Sequence, residues 1–469
     1  MFKLRKNTGL QERMKYKSTR GQVSGLSFCD ALLMGLASDN GLLVPEAVPT
    51  VSQGQLEQWR DLSYVALAQQ IIPLFIDDID PDTLANLIAE SYAGFDHDDV
   101  VGWQSLGEVG VLELFHGPTL AFKDVALQLL GKLFEHVLGE RNQRLNILGA
   151  TSGDTGSAAI AGVRGQRNID IFIMYPEGRI APLQELQMTT VADDNVHCIS
   201  VQGSFDDCQN IMKTVFADAH YKAKYSLGAV NSVNWARVLA QIVYYCYASL
   251  RTETPALFAV PTGNFGNVFA AYLAKNMGFP IAHLLVATND NDILARFFAD
   301  GEYARGDVHQ TLSPAMDIQV ASNFERFLFY YFDEDSDRLR QFMQEFGETG
   351  RASIGEHPEA SMFSAIAVNR QETLDAMAEV HTDYGYTLDP HTAVGFAAVK
   401  KYQGGSVWPR VCVATAHPAK FPDAVAQAVG QTPTHDTLTA LPGMPERKDH
   451  LPADIEAIKA YLAQRVESV

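Results

Sequence analysis

The chain has 469 residues, 47% of them hydrophobic and 20% charged, enough to bury a large core and to divide into two or three domains. Its formal charge of −20 excludes a general electrostatic attraction to nucleic acid or acidic membranes, so any anionic ligand has to be drawn by local cations or backbone amides. The cysteines at 29, 198, 208, 246 and 412 have no C-x-x-C spacing, which excludes a disulfide framework or zinc site and fits buried thiols in a reducing compartment.

Basic residues crowd the start (Lys3, Arg5, Lys6, Arg13, Lys15, Lys17, Arg20), but no apolar stretch of signal length follows and no segment is long enough to span a bilayer. The default compartment is the cytoplasm. Acidic stretches at Asp77 to Asp82 and Asp96 to Asp99 close a helix-rich opening. Beyond them, His116-Gly117-Pro118-Thr119-Leu120-Ala121-Phe122-Lys123-Asp124 leads into a strongly apolar helix with a lysine near its start. Lys123 is open to two readings: a side chain that snorkels to solvent, or a desolvated amine with a lowered pKa that forms a Schiff base and moves protons.

The middle of the chain alternates short Ile- and Val-rich runs with helical patterns, the rhythm of βαβ units and a mostly parallel sheet. The predicted strands are Leu145 to Leu148, Ile169 to Met174, Val196 to Val201, Ala256 to Val260, His283 to Ala287 and Val411 to Ala414. In such sheets ligands collect at the carboxyl ends of strands. The first strand opens into Gly149-Ala150-Thr151-Ser152-Gly153-Asp154-Thr155-Gly156-Ser157. This loop suits a carboxylate or phosphate at a helix N-terminus, and equally a plain turn with a Ser or Thr cap.

Asn231-Ser232-Val233-Asn234-Trp235-Ala236-Arg237 enters the predicted helix Val238 to Leu250, and its arginine either forks onto a phosphate or is a solvated first-turn residue. Pro261-Thr262-Gly263-Asn264-Phe265-Gly266-Asn267 follows the fourth strand. Its glycines let backbone wrap a phosphate, yet it is neither a G-K-[ST] P-loop nor a G-x-G-x-x-G fingerprint. From about 296 to 355 the chain turns charged and aromatic, which reads as a helical insertion on the scaffold rather than part of its core. The last strand ends at Thr415-Ala416-His417. No G-x-S-x-G or H-E-x-x-H occurs, and the histidines at 381, 391 and 417 are too scattered to claim metal ligation.

Taken together and in order, these motifs resemble the threonine synthases, pyridoxal-phosphate enzymes of the tryptophan-synthase β-like fold (fold type II). The resemblance runs from Ser18-Thr19-Arg20-Gly21 and Ala37-Ser38-Asp39-Asn40-Gly41-Leu42 to Thr415-Ala416-His417, and Pro118 to Asp124 is its most specific part. It implies an α/β protein with two αβα-type domains, the cofactor in their cleft, and an N-terminal helix-rich domain. The implied division is 1–97 for that domain, 98–140 with 225–469 for a large domain bearing the insertion at about 296–355, and 141–224 for a small one.

By the same resemblance Lys123 would carry pyridoxal 5'-phosphate, the amides of Gly263, Asn264, Phe265, Gly266 and Asn267 would cradle its phosphate, and Thr415 would meet its ring nitrogen. Asp154 stands where many relatives of this fold have an asparagine at the cofactor's phenolic oxygen. Thr151, Ser152, Gly153 and Thr155 would grip the substrate carboxylate, and Asn231, Ser232 and Arg237 the phosphate of O-phospho-L-homoserine. The implied reaction is that of a carbon–oxygen lyase acting on phosphates: phosphate leaves, water adds at Cβ, and L-threonine forms. Implied partners are this small molecule alone, without nucleic acid or membrane, on a monomer with a homodimer as the alternative. Rival readings are a dehydratase or phospholyase of the same fold and, from a different class, a non-catalytic protein that binds a phosphate ligand.

Overall fold

The computed structural model describes residues 4–5, 13–151, 153–229, 232–355, 362–404 and 408–467. Two compact units divide it, one comprising residues 1–116 and 232–433, the other 117–231 and 434–469.

All six predicted strands form, each extended by one to three residues. In the first unit they contribute to a six-stranded sheet in the order Phe363–Ala367, Ile281–Thr288, Ala256–Pro261, Arg410–Ala414, Val109–Glu113, Gly102–Leu106. Every pairing is parallel except the last. The central strand Ala256–Pro261 is buried along its whole length. Parallel strands covered on both faces read as unbroken apolar runs, which is why this one was legible. Gly102–Leu106 is a partly exposed antiparallel edge strand with Trp103, Gln104 and Ser105 outward, and lacks that signal.

The second unit holds a five-stranded parallel sheet, ordered Leu227–Gly228, Leu145–Ala150, Ile169–Pro176, Val196–Gln202, Asp449–Pro452. Its last strand comes from the C-terminus, so residues 434–469 group with this unit and not with the large domain to which the sequence reading assigned them. The reason is edge pairing: Asp449 to Pro452 run beside Ile199 to Gln202, and Ile458 and Leu462 of the terminal helix enter this unit's core. The helix Lys123–Glu140 also belongs here. It packs on Asp154–Val163 at backbone distance, since a Cβ at Gly131 would lie 1.8 Å from the carbonyl oxygen of Gly162.

The segment after Arg296 corrects an expectation. It is largely helical, with Phe324–Tyr331 and Ser336–Thr349, plus an antiparallel pair Glu302–Ala304 and Arg351–Ser353. Its acidic residues Asp333, Asp335 and Asp337 are exposed at turns and a helix start, while Phe324 to Tyr330 are all buried. The segment is therefore part of the core of the first unit. Phe324 and Phe327 pack on Phe265, with ring centroids 5.1 and 5.7 Å away. The N-terminal signature clasps the same helix: the Thr19 hydroxyl donates to Glu325 (2.7 Å), Arg20 pairs with Glu325 (3.0 Å), and the Arg326 Nη2 donates to the Leu43 carbonyl (2.9 Å). Phe324→Ala should lower unfolding free energy by about 3–5 kcal/mol, the usual result of emptying a core aromatic site, read from the midpoint of a denaturant melt.

Candidate active site

In the second unit the turn before Lys123 is set by Asp124. Its carboxylate accepts from the Thr119 backbone N–H (2.8 Å) and hydroxyl (2.6 Å), drawing the chain round so that the helix begins at Lys123. Leu120 within this turn has φ 60°, a left-handed conformation that costs a buried branched residue about 1–2 kcal/mol. Strain held by surrounding contacts marks a turn whose geometry matters.

Lys123 is not a snorkelling residue, because its side chain is only 12% exposed and its Nζ lies 3.8 Å from Asp154 Oδ2. The other oxygen of Asp154 accepts from Gln184 Nε2 (2.9 Å). Thr151 ties the glycine and hydroxyl loop together: its hydroxyl oxygen accepts from the N–H groups of Gly153 and Gly156, both at 3.0 Å. Gly153 has φ 150°, open only to glycine, and Asp154 then starts the helix Asp154–Val163. Lys123, Thr151, Gly153 and Asp154 are thus brought together in this unit. Ser152 lies outside the described residues.

In the first unit the loop Thr262 to Phe265 leaves the carboxyl end of Ala256–Pro261 and enters the helix Gly266–Asn276. Phe265, at φ 64°, turns its buried ring down onto the phenylalanine cluster, which leaves the backbone facing the other way. A Cβ at Gly263 would lie 2.8 Å from the carbonyl oxygen of Ala315, so the loop is walled closely on that side. The first amides of a helix have no intrahelical acceptor and carry the positive end of its dipole. Loop and helix start therefore form a cradle for an anion.

Ser232 and Asn264 share partners. Ser322 Oγ lies 2.9 Å from Ser232 Oγ and donates to Asn264 Oδ1 (3.1 Å). Asn323 donates its amide N–H to Asn264 O (3.0 Å) and its Nδ2 to Ser232 O (3.1 Å). Asn231 lies outside the described residues. Thr415 follows the strand Arg410–Ala414, which runs parallel to Ala256–Pro261 with Ala259 beside Cys412, so both loops emerge from the same end of adjacent strands. Thr415 is 6% exposed, and its backbone N–H donates to the Thr392 hydroxyl (3.2 Å).

Arg237 is the most telling member. It sits in the first turn of Trp235–Leu250, a helix buried from end to end, and is itself only 4% exposed. Its Nε and Nη1 meet no acceptor among the described residues. Burial without a counter-charge lowers its pKa to about 10, so it remains a cation at neutral pH. A helix N-terminus also disfavours a cation, by about 0.3–1 kcal/mol. Both effects reverse when an anion binds. One turn on, the Gln241 Oε1 is likewise buried and unpartnered, as is Asn267 Nδ2, whose Oδ1 accepts from the Tyr245 hydroxyl (2.7 Å).

Sequence reading missed Asp124, Gln184, Gln241, Ser322 and Asn323. Asp124 was visible as a carboxylate three to five residues after a Thr turn. Asn323 is tied to Ser232 across 91 residues, and no local pattern reports such a contact. Among the described residues no group of acidic, His and Cys side chains could hold a metal ion, and no helix is long and apolar enough to cross a membrane.

Each unit holds groups suited to part of a phosphate-bearing aldehyde: in the second an amine with restricted exposure, in the first a walled glycine loop at a helix start, a strand-end hydroxyl and a buried cation with nitrogens that meet no acceptor among the described residues. Fold and site together define a pyridoxal-phosphate enzyme of fold type II, and a family model described as "Pyridoxal-phosphate dependent enzyme" matches residues 109–415. Models described as "Threonine synthase N terminus" and "Threonine synthase, C-terminal" match residues 15–92 and 392–462. The chain is 46% identical to the threonine synthase of Pseudomonas aeruginosa over 96% of its own length and 98% of that protein's. It superposes on the crystal structure of the PLP-bound threonine synthase of Brucella melitensis with a TM-score of 0.94 and 44% identity, covering 97% and 99% of the two chains. At 15% identity and a TM-score of 0.51, maize serine racemase shares the fold alone. The chain belongs to the threonine synthase family.

Proposed function

We propose that this protein converts O-phospho-L-homoserine and water into L-threonine and inorganic phosphate, by β,γ-elimination followed by addition of water at Cβ. The observation that carries the reading is Arg237, a buried guanidinium whose Nε and Nη1 meet no acceptor among the described residues, in the first turn after the Ser232 segment. A dehydratase acting on serine or threonine has no substrate phosphate to place there.

Pyridoxal phosphate, when bound, supplies a conjugated ring that takes up the electron pair left as a proton departs from Cα. Lys123 Nζ would hold the cofactor and would be the base that removes the protons from Cα and Cβ of the substrate. It later returns protons at Cγ and Cα, with water entering at Cβ between these steps. Asp154 Oδ2 lies 3.8 Å from this amine and favours its charged form. With the cofactor bound, Asp154 would stand at its phenolic oxygen, where two facing oxygens would need a shared proton.

The amides of residues 263–267 hold the cofactor phosphate, and Thr415 offers a neutral hydroxyl to the ring nitrogen. A neutral partner does not enforce ring protonation, which moderates the electron sink. Thr151, Ser152, Gly153 and Thr155 hold the substrate carboxylate at the start of Asp154–Val163, with Thr155 also near the leaving phosphate. Asn231, Ser232 and Arg237 hold that phosphate through charge-assisted hydrogen bonds. The buried, free cysteines fit a reducing compartment, so we place the reaction in the cytoplasm.

Product analysis tests the reading. With O-phospho-L-homoserine, threonine and phosphate should appear in equal amounts; phosphate with 2-oxobutanoate in place of threonine would identify a phospholyase instead.

A further inference from the structure

Asp389 is 1% exposed and caps the helix Pro390–Lys401, but its hydrogen bonds reach beyond a cap. Its Oδ2 accepts from the Thr392 backbone N–H (3.2 Å) and also, at short range, from the Thr392 hydroxyl. With its only hydrogen committed to Asp389, the Thr392 hydroxyl can only accept from elsewhere. It does so from the backbone N–H of Thr415 (3.2 Å).

The other oxygen, Oδ1, accepts from the His391 backbone N–H and lies 2.9 Å from the ring Nδ1. The far nitrogen, Nε2, accepts from the Ala315 N–H (3.2 Å), which requires the ring proton on Nδ1, facing the carboxylate. Ala315 is the residue whose carbonyl walls Gly263. From the opposite side its turn, Pro314–Met316, is stapled by Asn289 Nδ2 donating to Ser313 Oγ (3.0 Å) and by Asp317 accepting from the Thr311 N–H (2.9 Å). These bonds hold the flanks of the turn, and His391 holds Ala315 itself.

We propose that Asp389 is a positioning residue which, from one buried carboxylate, sets both ends of the cofactor berth: Thr415 through Thr392, and the glycine-loop wall through His391. The proposal rests on the reading of Thr415 and residues 263–267 as cofactor-holding groups. It explains why a carboxylate is needed where a serine or asparagine would cap a helix as well. Only a group that accepts at both oxygens can orient the hydroxyl and the imidazole at once.

The test is equilibrium binding of pyridoxal phosphate and of phosphate-free pyridoxal to the apoprotein, with the absorption spectrum of each bound form. Asp389→Asn should weaken pyridoxal phosphate about tenfold or more, since it leaves at least one of the two donors unmatched. His391→Leu should weaken pyridoxal phosphate about tenfold and pyridoxal less than about twofold, because that arm serves the phosphate loop alone. Thr392→Val should weaken both equally and shift the absorption maximum, and Thr392→Ser should restore wild-type values. Equal losses for the two ligands in His391→Leu, or wild-type binding and spectrum in Asp389→Asn, would overturn the proposal. If Asp389→Asn does not fold, the His391 and Thr392 variants decide it by the same criteria. Thr415→Val serves as the reference: unchanged binding and spectrum would remove the site reading and the proposal with it, whereas a change there with none in Asp389→Asn would sink the proposal alone.

Discussion

Lys123→Ala is expected to give a folded, colourless protein whose turnover of O-phospho-L-homoserine is lower by about 10⁴-fold or more. The loss combines two roles in one atom, since Nζ is both the attachment point of the cofactor and the base that moves protons at successive carbons. The fold should survive. Alanine is a better helix former than lysine, the turn before it is held by Asp124 and Thr119, and Lys123 packs no core. Asp154 keeps the hydrogen bond from Gln184. The readouts are the absorbance of the bound cofactor near the visible edge and steady-state turnover. An unchanged spectrum with full activity would refute the assignment.

Arg237→Leu should separate stability from function in opposite directions. A buried guanidinium with no counter-charge is a burden on the ligand-free protein, and replacing a poorly compensated buried charge by an apolar group is commonly neutral or stabilising by about 1–4 kcal/mol. The melting temperature of the apoprotein should therefore hold or rise. For catalysis the same change removes charge-assisted hydrogen bonds to the substrate phosphate worth about 1.5–3 kcal/mol each, so kcat/KM should fall by roughly 10²- to 10⁴-fold. Added phosphate should raise the melting temperature of the wild type, and this stabilisation should shrink in the variant. An arginine that merely supported the fold would show the reverse: a destabilised protein with near-normal kinetics.

The parts of this site that could be read from the sequence are those whose physics is local. The strand Ala256–Pro261 announces itself because burial on both faces leaves only apolar side chains, and Ile169–Pro176, buried throughout, carries a single charge, Asp170. The loops at 149–157 and 261–267 announce themselves because a backbone that wraps a ligand at a helix start needs glycines in sequence. What could not be read is set by distant packing. Arg237 gives no sign in the sequence of being buried; that follows from the helix Trp235–Leu250 being covered all round. The charged and aromatic segment from about 296 reads as an insertion outside the core, yet Phe324 and Phe327, ahead of the acidic run at 333–337, are buried and pack on Phe265. His391 drew notice only as a metal ligand without companions, while its work is to face Asp389 with one nitrogen and Ala315 with the other. Asp389 is not singled out by the sequence at all, and that one of its oxygens reaches Thr415, 26 residues on, through the Thr392 hydroxyl follows only from the fold.

The central claim is that one amine, Lys123 Nζ, bonds to the aldehyde of the cofactor. The most direct measurement is borohydride reduction of the holoprotein followed by peptide mapping. A reduced pyridoxyl group on the peptide containing Lys123, and on no other lysine, is the predicted result. Label on the more deeply buried Lys420, which is 2% exposed, or no covalent label at all, would contradict it.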